Sequence, residues 1–89
     1  QGNVLSTEKS ELVDFSIYPN PTNNILYFKG ISSENTIKVL SMQGQLLEKT
    51  NIDTANNFIN LKKYSSGMYI IQLLNSNKTL VKSKVVVKE

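Results

Sequence analysis

The sequence closes with Lys78-Thr79-Leu80-Val81-Lys82-Ser83-Lys84-Val85-Val86-Val87-Lys88-Glu89, a run in which valines and lysines are interleaved. A period of two predicts a β-strand, because successive side chains of a strand point to opposite faces. One predicted face, which we expect to pack, carries Val81, Ser83, Val85 and Val87. The other is mostly cationic and carries Leu80, Lys82, Lys84, Val86 and Lys88. We expect this strand both to close the fold and to present residues to a partner.

Six further short strands are predicted upstream, over residues 15–18, 25–29, 36–42, 45–49, 58–61 and 68–74. They are rich in β-branched and aromatic residues and are bounded by turn-forming residues. Pro19 and Pro21 end the first strand, because proline has no N–H for a strand ladder. Seven short strands with regular turns and no convincing helix predict an all-β fold, an antiparallel two-sheet sandwich of the immunoglobulin-like kind.

Two strands have particularly clear patterns. Residues 36–42 place Ile37 and Val39 inward and Thr36 and Lys38 outward, and a Gln43-Gly44 turn leads from them into a hairpin partner. Residues 68–74 are apolar on both faces apart from Gln72, which is typical of a central strand. Asn75-Ser76-Asn77 is predicted to turn this strand into the last one.

The chain has 89 residues, enough for one small domain. We expect residues 1–14, which are polar and unperiodic, to be a linker, and residues 15–89 to form the domain itself. The first residues show neither an initiator methionine nor a signal-peptide pattern, so we expect a piece of a longer protein.

Composition excludes several classes of function. The chain has no histidine and no cysteine, and most of its seven carboxylates fall in the predicted linker or loops, so we expect no catalytic residues, metal site or cofactor. All ten basic residues are lysines, and without arginine we expect no nucleic-acid recognition. We also expect no small-molecule substrate. Tyr27 and Tyr69 lie within strands, where core or cross-strand packing is expected rather than a sugar-stacking platform.

Four motifs occur in a characteristic order: Ile17-Tyr18-Pro19-Asn20-Pro21-Thr22, Gln43-Gly44-Gln45, Gly67-Met68-Tyr69-Ile70-Ile71 and Lys82-Ser83-Lys84-Val85-Val86-Val87-Lys88-Glu89. In this order and spacing they resemble the type A C-terminal sorting domain of the type IX secretion system of Bacteroidetes. The resemblance covers about residues 15–89.

The resemblance implies a domain appended to a secreted cargo and carried through the periplasm and across the outer membrane. Its implied partners are the type IX translocon, an outer-membrane shuttle protein and a sortase-like C-terminal signal peptidase. The peptidase would remove the domain, and the cargo would be secreted or held at the cell surface. The extended backbone of residues 1–14 is the expected neighbourhood of cleavage.

Carried over by position, the family's proline-containing motif corresponds to Pro19, Asn20 and Pro21, and its glycine-x-tyrosine motif to Gly67 and Tyr69. We expect these residues, together with Gly44 at its turn, to act mainly in the structure. The family's terminal lysine motif corresponds to the last strand, where we expect recognition by Lys82, Lys84, Val85, Val86, Val87, Lys88 and Glu89.

Two other functions are compatible with the same fold. The chain could be an accessory carbohydrate-binding or fibronectin-like spacer module of a secreted enzyme, in which case it would bind a glycan. It could also be an adhesion subunit that assembles by strand exchange, because an open valine-rich strand can pair with another sheet.

Overall fold

The structure is a computed structural model that describes residues 16–31 and 34–89. Along this part of the chain run seven strands and no helix. The strands are β1 (Ser16–Tyr18), β2 (Ile25–Lys29), β3 (Asn35–Ser41), β4 (Leu46–Ile52), β5 (Phe58–Asn60), β6 (Gly67–Leu74) and β7 (Leu80–Lys88). The predicted all-β fold is confirmed. The linker expected at residues 1–14, and Phe15 of the first predicted strand, lie outside the described residues.

The strands form two antiparallel sheets. One has three strands in the order β1-β2-β5, and the other has four in the order β4-β3-β6-β7. β6 therefore lies between β3 and β7, which confirms that the run apolar on both faces is a central strand. β7 is an edge strand of the larger sheet, hydrogen-bonded to β6 along almost all of its length.

The core lies between the two sheets and takes side chains from both. Its twelve buried apolar residues are Ile17, Leu26, Phe28, Ile37, Val39, Ile52, Ile59, Leu61, Tyr69, Ile71, Leu73 and Val86. Full burial of one such side chain contributes about 1.5–3 kcal/mol to folding. The arrangement confirms the predicted two-sheet sandwich.

The predicted β3–β4 hairpin forms, with a turn in which the Gly44 N–H donates to the Ser41 carbonyl oxygen at 2.9 Å. β4 runs to Ile52, past the predicted end at residue 49, and Ile52 is buried in the core. Ile37 and Val39 are buried, as expected. The expected exposure of Thr36 is wrong, because its side chain is only 3% exposed. The Thr36 hydroxyl donates to Asn51 Oδ1 at 3.1 Å and accepts a bond from Lys78 Nζ at 3.1 Å, so polar neighbours cover it.

The β6–β7 hairpin turns at the predicted asparagines. Asn75 Oδ1 accepts hydrogen bonds from the N–H groups of Asn77 at 2.9 Å and Thr79 at 3.0 Å. The turn is closed by a backbone bond from the Asn75 N–H to the Thr79 carbonyl oxygen. β7 is thereby aligned antiparallel to the central strand.

Candidate functional site

The inner face of β7 is determined by its register on β6. Tyr69 pairs with Val86 and Ile71 with Lys84, and paired residues share a face of the sheet. Because Tyr69 and Ile71 point into the core, the even-numbered residues of β7 from Lys82 to Lys88 point the same way. Val86 is fully buried as a result.

This register corrects the predicted faces of the last strand. Val81, Val85 and Val87, expected to pack, are 52%, 43% and 37% exposed, whereas Lys88 is 8% exposed. Three consecutive valines place apolar side chains on both faces of the strand, so the pattern alone does not identify the packed face. Lys82 remains exposed and Lys84 half-buried on the inner side, at the edge of the larger sheet.

The seven residues expected to serve recognition therefore divide into two groups. Val86 and Lys88 are buried, and the Lys88 ammonium lies 3.4 Å from the Glu89 carbonyl oxygen. Available at the surface, fully or in part, are Lys82, Lys84, Val85, Val87 and Glu89. A partner that leaves the fold intact can contact only this second group.

The outer edge of β7 is partly covered by the proline loop, residues 19–22. The Asn20 carboxamide accepts a bond from the Val87 N–H at 2.9 Å and donates to the Val85 carbonyl oxygen at 3.3 Å. The Thr22 N–H donates to the Val87 carbonyl oxygen at 2.9 Å, and the Glu89 N–H donates to the Thr22 carbonyl oxygen at 2.8 Å. These four bonds connect the proline motif directly to the terminal lysine motif.

Thr22 anchors the proline loop to the body of the domain. The side chain is 1% exposed, and its hydroxyl donates to the Ile25 carbonyl oxygen at 2.6 Å. The peptide bonds Tyr18-Pro19 and Asn20-Pro21 are both cis. The loop leaves β1, passes along the edge of β7 and enters β2.

The glycine-x-tyrosine motif lies beside the same end of β7 as the proline loop, but on the opposite edge, where β6 pairs with β7. Gly67, which pairs with Lys88, has φ +153°, a backbone conformation that favours glycine. Tyr69 is 9% exposed, and its hydroxyl donates to the Ser65 carbonyl oxygen at 2.6 Å. Gly44, with φ +90°, lies in the β3–β4 turn beside the opposite edge strand and is not part of the β7 surface.

A cluster of polar groups surrounds Glu48 on β4. Tyr64 donates to Glu48 Oε1 at 2.5 Å, Thr50 donates to Oε2 at 2.9 Å, and Lys63 Nζ lies 3.4 Å from Oε1. Partial burial alone raises the pKa of Glu48, but the hydrogen bonds from Tyr64 and Thr50 and the Lys63 ammonium outweigh it, so the pKa lies below its ordinary value. Burial and the bond to Glu48 raise the pKa of Tyr64 above its usual range.

Three exposed aromatic residues form a row across the outer face of the three-stranded sheet. Tyr18, Tyr27 and Phe58 occupy directly paired positions on β1, β2 and β5. Tyr18 and Tyr27 stack with centroids 5.7 Å apart, and Tyr27 and Phe58 are tilted at 6.1 Å. Tyr27 therefore packs across strands and Tyr69 in the core, as expected. The complete row could not be identified without the strand order.

In residues 16–31 and 34–89, no cluster of three or more side chains could hold a metal ion. The same part of the chain contains no helix long and apolar enough to cross a membrane.

Comparison with known proteins identifies the family. A model of the secretion system C-terminal sorting domain matches residues 16–88. Ulvan lyase NLR42 of Nonlabens ulvanivorans is 26% identical over 91 residues, an alignment that covers 98% of this chain and 17% of the lyase. The structure of PorZ, a surface component of the type IX secretion system of Porphyromonas gingivalis, matches with a TM-score of 0.54 and 21% identity over 89% of this chain and 12% of PorZ.

The chain spans less than a fifth of either protein, and the similarity to PorZ concerns the fold alone. The family model, in contrast, covers both sheets and the four motifs described above, apart from Glu89. This chain belongs to the family of secretion system C-terminal sorting domains, the type IX family that its motifs resemble.

Proposed function

We propose that this domain directs a cargo protein, attached at its N-terminal side, across the outer membrane through the type IX secretion system, with the exposed part of β7 as the recognised element. The cargo is then secreted or retained at the cell surface. The domain acts as a signal and not as a catalyst. The observation that carries the proposal concerns the end of β7 near Val87. There β6 pairs with one edge of the strand and the proline loop bonds to the other, while Lys82, Val85 and Glu89 stay accessible.

Three classes of partner follow from this proposal: the translocon, an outer-membrane shuttle protein and a sortase-like signal peptidase. Lysines and valines on one strand support such contacts, because charged groups orient a partner and apolar groups supply contact area. Lys82 and Lys84 are the charged groups accessible on β7 itself.

We propose in addition that residues 1–14 form the linker in which the peptidase cuts. The family match begins at residue 16, which supports a boundary near this position. Mass spectrometry of the released cargo would identify the cut bond, and a cut within the sandwich, after residue 16, would contradict the proposal.

Export of a reporter tests the function directly. Residues 1–89 are fused behind a signal peptide and a fluorescent protein in a bacterium with a working type IX system, and fluorescence is measured in the medium, on the cells and in the periplasm. We expect the fusion to leave the periplasm and the reporter without the domain to remain there. Periplasmic retention of a folded fusion would contradict the proposal.

Deleting residues 82–89 would also remove Val86 from the core, so loss of export by that truncation would not separate recognition from folding. A better variant replaces exposed residues only, Val85→Ser with Val87→Ser. Its matched control is Leu46→Ser with Leu47→Ser on β4, the opposite edge strand. We expect the β7 pair to reduce export and the β4 pair to leave it unchanged, with both variants folded.

The aromatic row bears on the accessory carbohydrate-binding function. A sugar platform needs ring faces directed to solvent, whereas Tyr27 has neighbouring rings on both sides, 5.7 Å and 6.1 Å away. Such pairs stabilise a small sheet by about 0.5–1.5 kcal/mol each. The row therefore supports the three-stranded sheet rather than the binding of a glycan.

A further inference from the structure

The outer edge of β7 is covered only in part. The N–H and carbonyl groups of Val87 and the carbonyl group of Val85 form hydrogen bonds with the proline loop and not with β6. The backbone groups of these odd-numbered residues therefore point away from the sheet. The pairing of β7 with β6 is continuous from Lys82 to Lys88, so the backbone groups of Ser83 also point away from the sheet. The N–H and carbonyl of Ser83 and the N–H of Val85 face outward with no neighbouring strand among those the structure describes. We name residues 81–85 the open stretch.

Charge on the open stretch has a single sign. Lys82 and Lys84 lie on it, and no carboxylate of the described residues is within ion-pair distance of either. Glu48, which lies on the opposite edge strand β4, is by contrast paired with Lys63 and hydrogen-bonded by Tyr64. An unpaired sheet edge with two uncompensated ammonium groups favours an anionic partner.

Self-association through this edge is disfavoured by the same lysines. An antiparallel pair of two copies centred on Ser83 would place Lys82 of each copy directly opposite Lys84 of the other. Like charges at directly opposed positions destabilise a strand pair. Lysine on an edge strand is a common protection against such pairing.

We propose that the open stretch is a strand-addition site for an extended, acidic segment of a partner protein. The inference rests on the proposed function and specifies how the sorting domain is held by the secretion machinery. Acidic side chains of the added segment lie beside Lys82 and Lys84, and apolar ones lie beside Val85 on the other face. Backbone bonds form with Ser83 and with the Val85 N–H.

The proline loop gives this site a defined end. The Asn20 carboxamide occupies the edge position next to Val85 and Val87, so an added segment stops there. Asn20 thus sets the register of the incoming strand. If the added segment were shifted by one residue, its apolar side chains and not its acidic ones would lie beside Lys82 and Lys84.

Proline at position 83 is the decisive variant. Ser83 pairs with Gln72 without exchanging hydrogen bonds with it, so Ser83→Pro removes an outward N–H and leaves the β6 ladder intact, as proline on an edge strand can. Ser83→Ala is the matched control, because it keeps the N–H. In the reporter export assay we expect Ser83→Ala to match the unmodified domain and Ser83→Pro to reduce export by up to about tenfold, since loss of one backbone bond has up to this effect on affinity.

A charge variant keeps the test valid if Ser83→Pro fails to fold. Lys82→Glu changes an exposed side chain and is expected to reduce export to a similar extent, whereas Lys49→Glu on β4 is expected to have no effect. Export of Lys82→Glu at the unmodified level, or of folded Ser83→Pro at that level, overturns strand addition and leaves the sorting function standing. Retention of the unmodified domain overturns the sorting function and this inference together.

Discussion

The side-chain oxygen of Asn20 accepts a hydrogen bond from the backbone N–H of Val87 at 2.9 Å, across 67 residues of sequence. The same carboxamide donates to the Val85 carbonyl oxygen, so one side chain takes the place of a neighbouring peptide group on the edge of β7. Two motifs at opposite ends of the domain thereby form one structural unit.

Replacing this carboxamide should loosen the edge of β7. We expect Asn20→Ala to lower the free energy of unfolding by about 1–2 kcal/mol, because it removes two hydrogen bonds to backbone groups. Hydrogen exchange of the Val87 amide should accelerate in parallel. Asn23→Ala, at an exposed position of the next turn, is the control, and equal stabilities of the two variants in urea unfolding would argue against the bond.

The two faces of β7 should respond differently to truncation. Val86→Ala removes a fully buried side chain, and we expect it to cost about 2 kcal/mol of stability. Val85→Ala, one residue earlier on the solvent face, should cost about 0.5 kcal/mol or less. Thermal or urea unfolding measures both, and a larger loss for Val85→Ala would mean that the register on β6 is wrong.

Gly67 should not tolerate a side chain, for reasons of backbone conformation alone. Outside Gly67 itself and its two chain neighbours, no heavy atom lies within 4 Å of the position that an added Cβ would take, but φ is +153°. We therefore expect Gly67→Ala to destabilise the domain by about 1–2 kcal/mol. Ser66→Ala, at the exposed preceding position, should be nearly neutral in the same unfolding measurement.

The Glu48 cluster should make stability depend on pH in the acid range. Because the pKa of Glu48 is lower in the folded state than in the unfolded chain, the unfolded chain binds more protons there. The contribution is complete above the ordinary glutamate pKa of about 4.3 and is lost as the pH falls through the folded value. We expect less than about 1 kcal/mol, since the cluster is at the surface.

Tyr64→Phe tests the origin of this dependence, because it removes the hydroxyl that donates to Glu48. The variant should lose part of the acid-range dependence in urea unfolding at a series of pH values. Lys62→Ala, which removes a neighbouring exposed lysine, serves as the control. An unchanged pH profile in Tyr64→Phe would assign the dependence to other carboxylates.

The strands that could be predicted from sequence are those whose residue pattern is compatible with only one secondary structure and one inward face. β2 and β6 have strand-forming residues bounded by turn residues, and their observed bounds equal or closely match the predicted ones. The inner positions Ile37 and Val39 follow from strict alternation. Such information is contained in the neighbouring residues themselves.

The faces of β7 could not be predicted in the same way, because Val85, Val86 and Val87 satisfy either assignment. The choice is made by β6, whose Tyr69 and Ile71 point into the core. Asn20 was identified as part of a motif, but its hydrogen-bond partners are distant in sequence and depend on which strand lies at the edge. Contacts of this kind follow from topology.

The bonds between residues 20–22 and β7 also determine when the domain can finish folding. Asn20 leaves the ribosome long before Val87, and both the core position of Val86 and the place beside β6 stay empty until β7 emerges. Contacts between such distant segments form late and slow the folding of a β-sandwich. Synthesis that stops within the domain, before β7, would leave the sandwich incomplete and without its open stretch. The open stretch is therefore formed only after the other six strands of the sandwich have been synthesised.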